Sequence, residues 1–85
     1  MTSDDKFKYL MDLDNRNAKV KITTRHGDVY YCKVDSPAEG EDDWAYHFFT
    51  PDYPAHYVIL ECNFIAQIEE ITEEQWQHHF EEVCN

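Results

Sequence analysis

The chain has 85 residues, 42% of them apolar, and a formal charge of −11. So short a chain forms a single domain, 1–85, and an aromatic content of 15% is too high for a disordered acidic tail. The longest apolar run is too short to span a membrane, the N-terminus lacks the pattern of a secretory signal, and three cysteines cannot all pair with one another. We therefore expect a folded, cytoplasmic domain.

A short N-terminal helix is predicted over residues 4–13. Its apolar side chains recur at i, i+3 and i+4, the spacing of one helical face: Phe7, Leu10 and Met11. Ser3 or Asp4 is expected to cap the first turn, because both side chains accept hydrogen bonds from the free N–H groups there. The polar run after residue 13 is expected to end the helix.

Residues 19–71 have the pattern of five short antiparallel strands. The first alternates apolar and polar side chains, and a tight turn at Gly27 leads into the second. The strands are expected at 19–24, 29–34, 44–50, 57–61 and 64–71, with an exposed polar loop at 36–43. Short strands in such numbers commonly close into a small barrel, because closure removes exposed edges.

A C-terminal helix is predicted over residues 72–84. Thr72 is expected to cap it, with Gln75 at the reciprocal position of a capping box. Its apolar stripe is formed by Trp76, Phe80, Val83 and Cys84. The sequence thus predicts an α+β fold, mostly β, with one helix on each side of the strands.

Charge is divided unevenly along the chain. All seven Lys and Arg residues lie within residues 1–33, and the rest of the chain has thirteen acidic residues and no Lys or Arg. Nucleic-acid binding normally depends on Lys and Arg that neutralise phosphates. We therefore expect no direct contact with nucleic acid and no membrane contact. The charge favours a protein partner with a basic surface.

The central strands resemble the Sm-like family. Residues 20–30 are similar to its first motif, an alternating strand followed by a turn with glycine and a second strand. Residues 58–68 follow the rhythm of its second motif, with Asn63 at the family asparagine and Ile65 and Ile68 at the expected spacing. The resemblance covers residues 19–71. It implies a five-stranded antiparallel Sm-like/SH3-like small barrel.

Glu61 and Cys62 stand where RNA-binding Sm-like proteins have an Arg-Gly pair. A carboxylate at residue 61 would repel the phosphate that arginine holds. Architecture and charge are closer to another branch of the family, the acidic Sm-like inhibitor of the bacterial termination factor Rho, which covers the RNA-binding surface of its partner. The resemblance implies a non-catalytic inhibitor that acts by occlusion, and phage-encoded inhibitors of nucleases are one setting for such a protein.

The predicted partner-binding residues are acidic groups that would imitate phosphates, together with one aromatic anchor. They are Glu39, Glu41, Asp42, Asp43, Asp52, Tyr53 and Glu61. No catalytic residue, metal or cofactor is assigned. We expect a monomer or dimer, because the C-terminal helix would cover a strand edge that ring assembly uses.

Two alternative functions fit parts of the sequence. An Sm-like RNA-binding ring would need its basic residues on one pore surface: Lys19, Lys21, Arg25 and Lys33. A small metal-dependent enzyme would use the C-terminal helix, where Glu74, His78 and Glu82 lie on one line and His79 is adjacent. Such i, i+4 pairs are more often ordinary contacts on a solvated helix face.

Overall fold

The computed structural model describes residues 1–51 and 56–84, the last four of them by backbone only. It contains two helices, α1 and α2, and five strands, β1 to β5. In chain order these are α1 (Ser3–Asn15), β1 (Lys19–Thr24), β2 (Val29–Glu39), β3 (Trp44–Phe49), β4 (Tyr57–Glu61), β5 (Ile65–Ile71) and α2 (Glu73–Cys84), with a short 3-10 turn (Cys62–Phe64) between β4 and β5. The α+β class, mostly β, is confirmed.

The strands form one antiparallel sheet in the order β4-β3-β2-β1-β5. β1 and β2 alternate between buried and more exposed side chains, so one face of the sheet lines the core. The core comprises Leu10, Leu13, Ala18, Val20, Ile22, Cys32, Val34, Tyr46, Phe48, Leu60, Cys62 and Ile65. Within residues 1–51 and 56–84, β4 and β5 lie at the two ends of the sheet. Closure into a barrel stays a prediction.

β2 continues beyond the predicted end at residue 34. The ladder with β3 shifts register between Val34 and Ser36 and then continues to Glu39, which is paired with Trp44. Pro37 is tolerated there because β1 pairs with β2 only as far as Lys33, so one side of the later part of β2 has no ladder to donate to. The predicted loop at 36–43 is therefore reduced to residues 40–43.

The face that α1 turns to the core matches the prediction in part, because Phe7 and Leu10 pack there as expected. Leu10 and Leu13 are fully buried, whereas Met11 is 44% exposed. Lys6 lies on the same buried face at 9% exposure, and its Nζ donates to the carbonyl oxygens of Ile65 at 2.6 Å and Cys62 at 3.5 Å. The ammonium group thus joins α1 to the 3-10 turn and the start of β5.

The cap of α1 also differs from the prediction. The capping residue is Thr2, and not Ser3 or Asp4. Its hydroxyl accepts from the backbone N–H of Asp5 at 3.1 Å, and the Asp5 carboxylate accepts from the backbone N–H of Thr2 at 3.3 Å. This reciprocal pair is a capping box, which satisfies two N–H groups at the helix start.

α2 begins with the predicted capping box. The Thr72 hydroxyl accepts from the Gln75 N–H at 3.0 Å, and the Gln75 side chain accepts from the Thr72 N–H at 2.8 Å. Trp76 is buried at 8% exposure and Phe80 is half-buried. The side chains of Val83 and Cys84, the rest of the predicted stripe, lie outside the described part of the chain.

The contacts of α2 place it on the outer face of the sheet. Glu73 forms an ion pair with Lys19 of β1, and His79 stacks on Tyr31 of β2. We predicted that α2 covers a strand edge that ring assembly uses, but the described residues show no such contact. In the described ranges, neither helix has the length and apolar character needed to cross a bilayer.

Candidate partner-binding surface

Five of the six predicted acidic residues lie at or beside the turn between β2 and β3. The backbone N–H of Gly40 donates to the Asp43 carbonyl at 2.9 Å, which closes the turn. Glu39, Glu41 and Asp42 are exposed around it. The turn therefore presents three carboxylates to solvent within four residues.

Asp43 has a structural role in this turn. Its carboxylate accepts from the backbone N–H of Trp44 at 2.8 Å and from that of Asn63 at 3.0 Å. The second bond crosses from the β2–β3 turn to the 3-10 turn after β4. Hydrogen bonds to an ionised carboxylate are stronger than neutral ones. Asp43 is one of the predicted partner-binding residues, and its oxygens also hold these two turns together.

Glu61 lies in the same cluster and is packed beneath the turn. Its carboxylate accepts from the backbone N–H of Glu41 at 3.3 Å. A Cβ atom added to Gly40 would lie 2.5 Å from Cγ of Glu61, so glycine allows the side chain to approach this closely. Glu61 thus contributes charge to the cluster and also fixes the position of the turn.

The two remaining predicted site residues, Asp52 and Tyr53, lie outside the described residues. Sequence reasoning missed two apolar side chains beside the turn, Trp44 at 49% exposure and Ile59 at 56%. By alternation Trp44 shares one side of β3 with Tyr46 and Phe48, which are buried. Trp44 is the first residue of β3, and its ring centroid lies 5.4 Å from that of Phe7. Strict alternation along β4 could have identified Ile59 as outward-facing.

Asp42 lies between two shallow depressions of about 360 Å³ and about 350 Å³. The first is lined by Glu39, Gly40, Asp42, Asp43 and Trp44, and the second by Asp42, Ile59, Leu60, Glu61, Asn63 and Phe64. Each combines carboxylates with an apolar wall. This combination suits lysine or arginine side chains, whose stems are apolar and whose ends are charged.

Of the four basic residues that an RNA-binding ring would need on one surface, three share a face of the sheet. Lys19, Lys21 and Lys33 share the outward face of β1 and β2, with Lys19 directly opposite Lys33. Arg25 lies beyond the end of β1, in the turn to β2. The described contacts of this face are with α2.

The cysteines of β2 and the 3-10 turn are buried, whereas His78 of α2 is exposed and His79 is half-buried. Burial raises the pKa of Cys62 to about 11, with the charge of Asp43 adding to the effect. No group of three His, Cys, Asp or Glu side chains that could hold a metal is found in the described part of the chain. The side chain of Glu82, from the metal alternative, lies outside that part.

Comparison of the chain with protein-family models, with curated proteins and with solved structures found no match. The geometry of the described residues and the charge of the chain therefore carry the functional argument. They direct attention to the turn between β2 and β3, where exposed acids and exposed apolar side chains meet.

Proposed function

We propose that the chain is a non-catalytic acidic module that binds a protein with a basic, nucleic-acid-binding surface and occludes that surface. The observation that carries the proposal is the group of exposed residues around the β2–β3 turn. We call it the acidic rim, and it consists of Glu39, Glu41, Asp42, Trp44 and Ile59. Its carboxylates attract a basic partner, and Trp44 and Ile59, which each line one of the two depressions beside Asp42, supply apolar area for that partner to bury.

The acidic rim is held in place by bonds that leave its three exposed carboxylates pointing to solvent. Asp43 ties the turn to the backbone of Asn63, and Glu61 ties it to the backbone of Glu41. A turn fixed at two points loses less conformational entropy on binding than a flexible acidic tail. This supports recognition of a defined basic surface over general attraction to any cation.

The Sm-like/SH3-like small barrel belongs to the same proposal. A helix before β1, five antiparallel strands, and pairing of the last strand with the first support it. The 3-10 turn lies between β4 and β5, where the resemblance has its second motif. We also propose that the protein acts in the cytoplasm, where its cysteines would stay reduced, and that it acts as a monomer or dimer.

The test is affinity capture from cell extract with E41Q/D42N, which removes two rim charges and leaves Asp43 intact. The control variant is D28N/E74Q, which removes two exposed acids elsewhere on the chain. Wild type and control should retain the same protein after nuclease treatment, and E41Q/D42N should lose most of it. The retained protein should bind nucleic acid less well when wild type is added.

Two results would contradict the proposal. Equal retention by E41Q/D42N and D28N/E74Q would show that the rim charges do not form the interface. Loss of retention on nuclease treatment would show that nucleic acid bridges the two proteins.

A further inference from the structure

β4 is an edge strand, and among residues 1–51 and 56–84 no strand lies on its outer side. It pairs with β3 along all five of its residues, and the order of the sheet places it at one end. In an antiparallel sheet, alternate residues of an edge strand direct their N–H and C=O groups away from the neighbouring strand. β4 therefore presents a row of backbone donors and acceptors that a further strand can use.

The two edges of the sheet differ in the features that prevent further pairing. β5 has two exposed acids, Glu69 and Glu70, and its ladder with β1 shifts register between Thr23 and Thr24. Charges and bulges of this kind protect the sheet edges of natural proteins. β4 pairs with β3 in unbroken register, contains no proline or lysine, and has its single charge at its last residue, Glu61. Of these two edges, β4 is the one suited to pairing with another chain.

The outward side chains of β4 form an apolar surface with an acidic end. Tyr57 is 49% exposed and Ile59 is 56% exposed, and alternation puts both on the same face. Glu61 is the next residue on this face. The depression of about 350 Å³ is lined by Ile59 and Glu61, and also by Asp42 of the acidic rim. The edge of β4 is thus continuous with the acidic rim.

We propose that the partner adds an extended basic segment to the open edge of β4 as a sixth, antiparallel strand. This inference rests on the proposed function and names the element of the partner that the acidic rim recognises. Antiparallel addition is expected because every ladder in this sheet is antiparallel. The segment needs no movement of the chain, because the edge is open in the structure.

The neighbours across the new ladder determine which segment fits. Side chains directly opposite each other in an antiparallel pair share a face and interact. An arginine or lysine opposite Glu61 would place its charged end near Glu61 and Asp42, with its apolar stem beside Ile59. Apolar side chains would lie opposite Ile59 and Tyr57. Read from its N-terminus, the segment therefore has a basic residue, then apolar residues two and four positions later.

The Glu61 carboxylate has the capacity to accept from this basic side chain. It already accepts from the backbone N–H of Glu41 at 3.3 Å. Two carboxylate oxygens offer about four lone-pair sites, so a further donor can bind. Asp42 is exposed and adds a second carboxylate to the same depression.

Charge favours a basic partner over a second copy of this chain at the same edge. Each copy has a formal charge of −11, and no Lys or Arg occurs from residue 34 to residue 85. Two copies meeting along β4 would therefore bring unbalanced acids together, which suppresses association. A basic segment meets the opposite condition.

The test uses a fluorescein-labelled peptide, Arg-Thr-Arg-Thr-Val-Thr-Val-Thr, whose binding to the full chain is followed by anisotropy. Wild type should bind it, and less tightly as salt is added. Ile59→Lys should weaken binding about tenfold, because it removes an apolar contact and puts a like charge on the edge. Val29→Lys makes the same kind of change at a residue of β2 that is 46% exposed, and this matched control should bind as wild type does. Circular dichroism checks that both variants are folded.

N-methylation of the peptide separates backbone pairing from side-chain contact. Two versions have N-methyl groups at alternate residues, one in each phase, and both keep every side chain. Alternate N–H groups of an added strand point to its neighbour. One version should therefore lose binding, and the other should keep it.

Equal affinity of the two methylated versions would overturn the proposal, and so would equal affinity of Ile59→Lys and Val29→Lys for the unmodified peptide. Failure of wild type to bind that peptide would also overturn it. A peptide with glutamate in place of arginine should not bind, and equal binding would show that the edge does not select a basic segment. A dimer that Val29→Lys preserves and Ile59→Lys dissociates in sedimentation would assign the edge to a second copy.

Affinity capture distinguishes failure of this inference from failure of the proposed function. Ile59→Lys should lose the captured protein, and Val29→Lys should retain it. Retention by Ile59→Lys together with loss by E41Q/D42N would show that the rim charges bind the partner without strand addition, so the inference would fail and the function would stand. Retention by both Ile59→Lys and E41Q/D42N would overturn the function as well.

Discussion

α1 and α2 are both short amphipathic helices that begin with a capping box, yet they are attached to the sheet in different ways. α1 covers the inner face, where Leu10 and Leu13 are fully buried in the core. α2 lies on the outer face, where Glu73 pairs with Lys19, His79 stacks on Tyr31 and Trp76 is buried. Local signals therefore determine that a helix forms, and the surface it meets determines which side chains attach it.

The 3-10 turn between β4 and β5 shows how far α1 is integrated. Lys6 of α1 donates to the carbonyls of Cys62 and Ile65, and Asp43 accepts from the N–H of Asn63. The turn is thus held by a cation from the helix and by an anion from the β2–β3 turn. α1 and the base of the acidic rim are therefore joined through the same short segment.

The largest effect is expected from shortening a buried side chain of α1. Leu10→Ala should lower the free energy of unfolding by about 2–5 kcal/mol, because it removes buried methyl groups and leaves a cavity. Met11→Ala, on the exposed side of the same helix, should change it by less than about 0.5 kcal/mol. Urea denaturation measures both. Equal losses would show that α1 is not distinguished by its buried face.

A smaller effect is expected at the buried ammonium group. Lys6→Met should lower the free energy of unfolding by about 1–3 kcal/mol, because the carbonyls of Cys62 and Ile65 lose their donor. Lys8→Met removes the same charge from an exposed position of α1 and serves as the control in chemical denaturation. A more stable Lys6→Met variant would mean that packing at this position outweighs the hydrogen bonds.

The same turn can be loosened from its other side. Asp43→Ala should cost about 1–2 kcal/mol, since the N–H groups of Trp44 and Asn63 lose a charged acceptor. Asp42→Ala, one residue earlier and exposed, should leave the unfolding midpoint in urea nearly unchanged. If both variants behaved alike, Asp43 would belong functionally with the exposed acids of the rim.

The smallest effect concerns the two capping boxes and pH. The pKa of Asp5 is held below its usual range, because its carboxylate accepts from the backbone N–H and the hydroxyl group of Thr2. The stabilisation it gives is therefore present above the ordinary aspartate pKa of about 3.9 and is lost as the pH falls through the lower pKa of the folded state. Gln75 takes the same position in α2 and does not titrate.

Amide proton shifts of Thr2 and Thr72 follow the two boxes in one NMR titration. The Thr2 signal should move as the pH falls below about 4, and the Thr72 signal should stay in place. Asp5→Asn is the control that should abolish the Thr2 transition. Parallel movement of both signals would indicate general unfolding in acid.

Alternation and capping signals predicted much of the fold. The bounds predicted for β1 and β4, and the capping box of α2, agree with the structure. The extension of β2 was missed, because a strand that continues through a bulge and Pro37 depends on pairing with β3. The face of α1 was predicted only in part, because Met11 is exposed, Leu13 was left out of the stripe and a lysine was not expected among buried residues.

The sequence predicted that acidic residues cluster at the candidate site, but it did not predict which of them form structural hydrogen bonds. Consecutive acids in a polar stretch identified the exposed carboxylates of the rim. The roles of Asp43 and Glu61 depend on partners twenty residues away in the chain, which no local pattern reveals. Likewise, alternation puts Lys19, Lys21 and Lys33 on one face, but the ion pair and the ring stack that α2 makes on that face are tertiary contacts.

The burial of Cys62 makes its thiol a natural probe of how often the 3-10 turn opens. Its side chain is fully buried at the start of the turn held by Lys6 and Asp43, and its pKa is raised to about 11. Burial therefore keeps the Cys62 thiol protonated and shielded from reagents, which react with the thiolate. The rate at which a thiol reagent modifies Cys62 reports how often this turn opens.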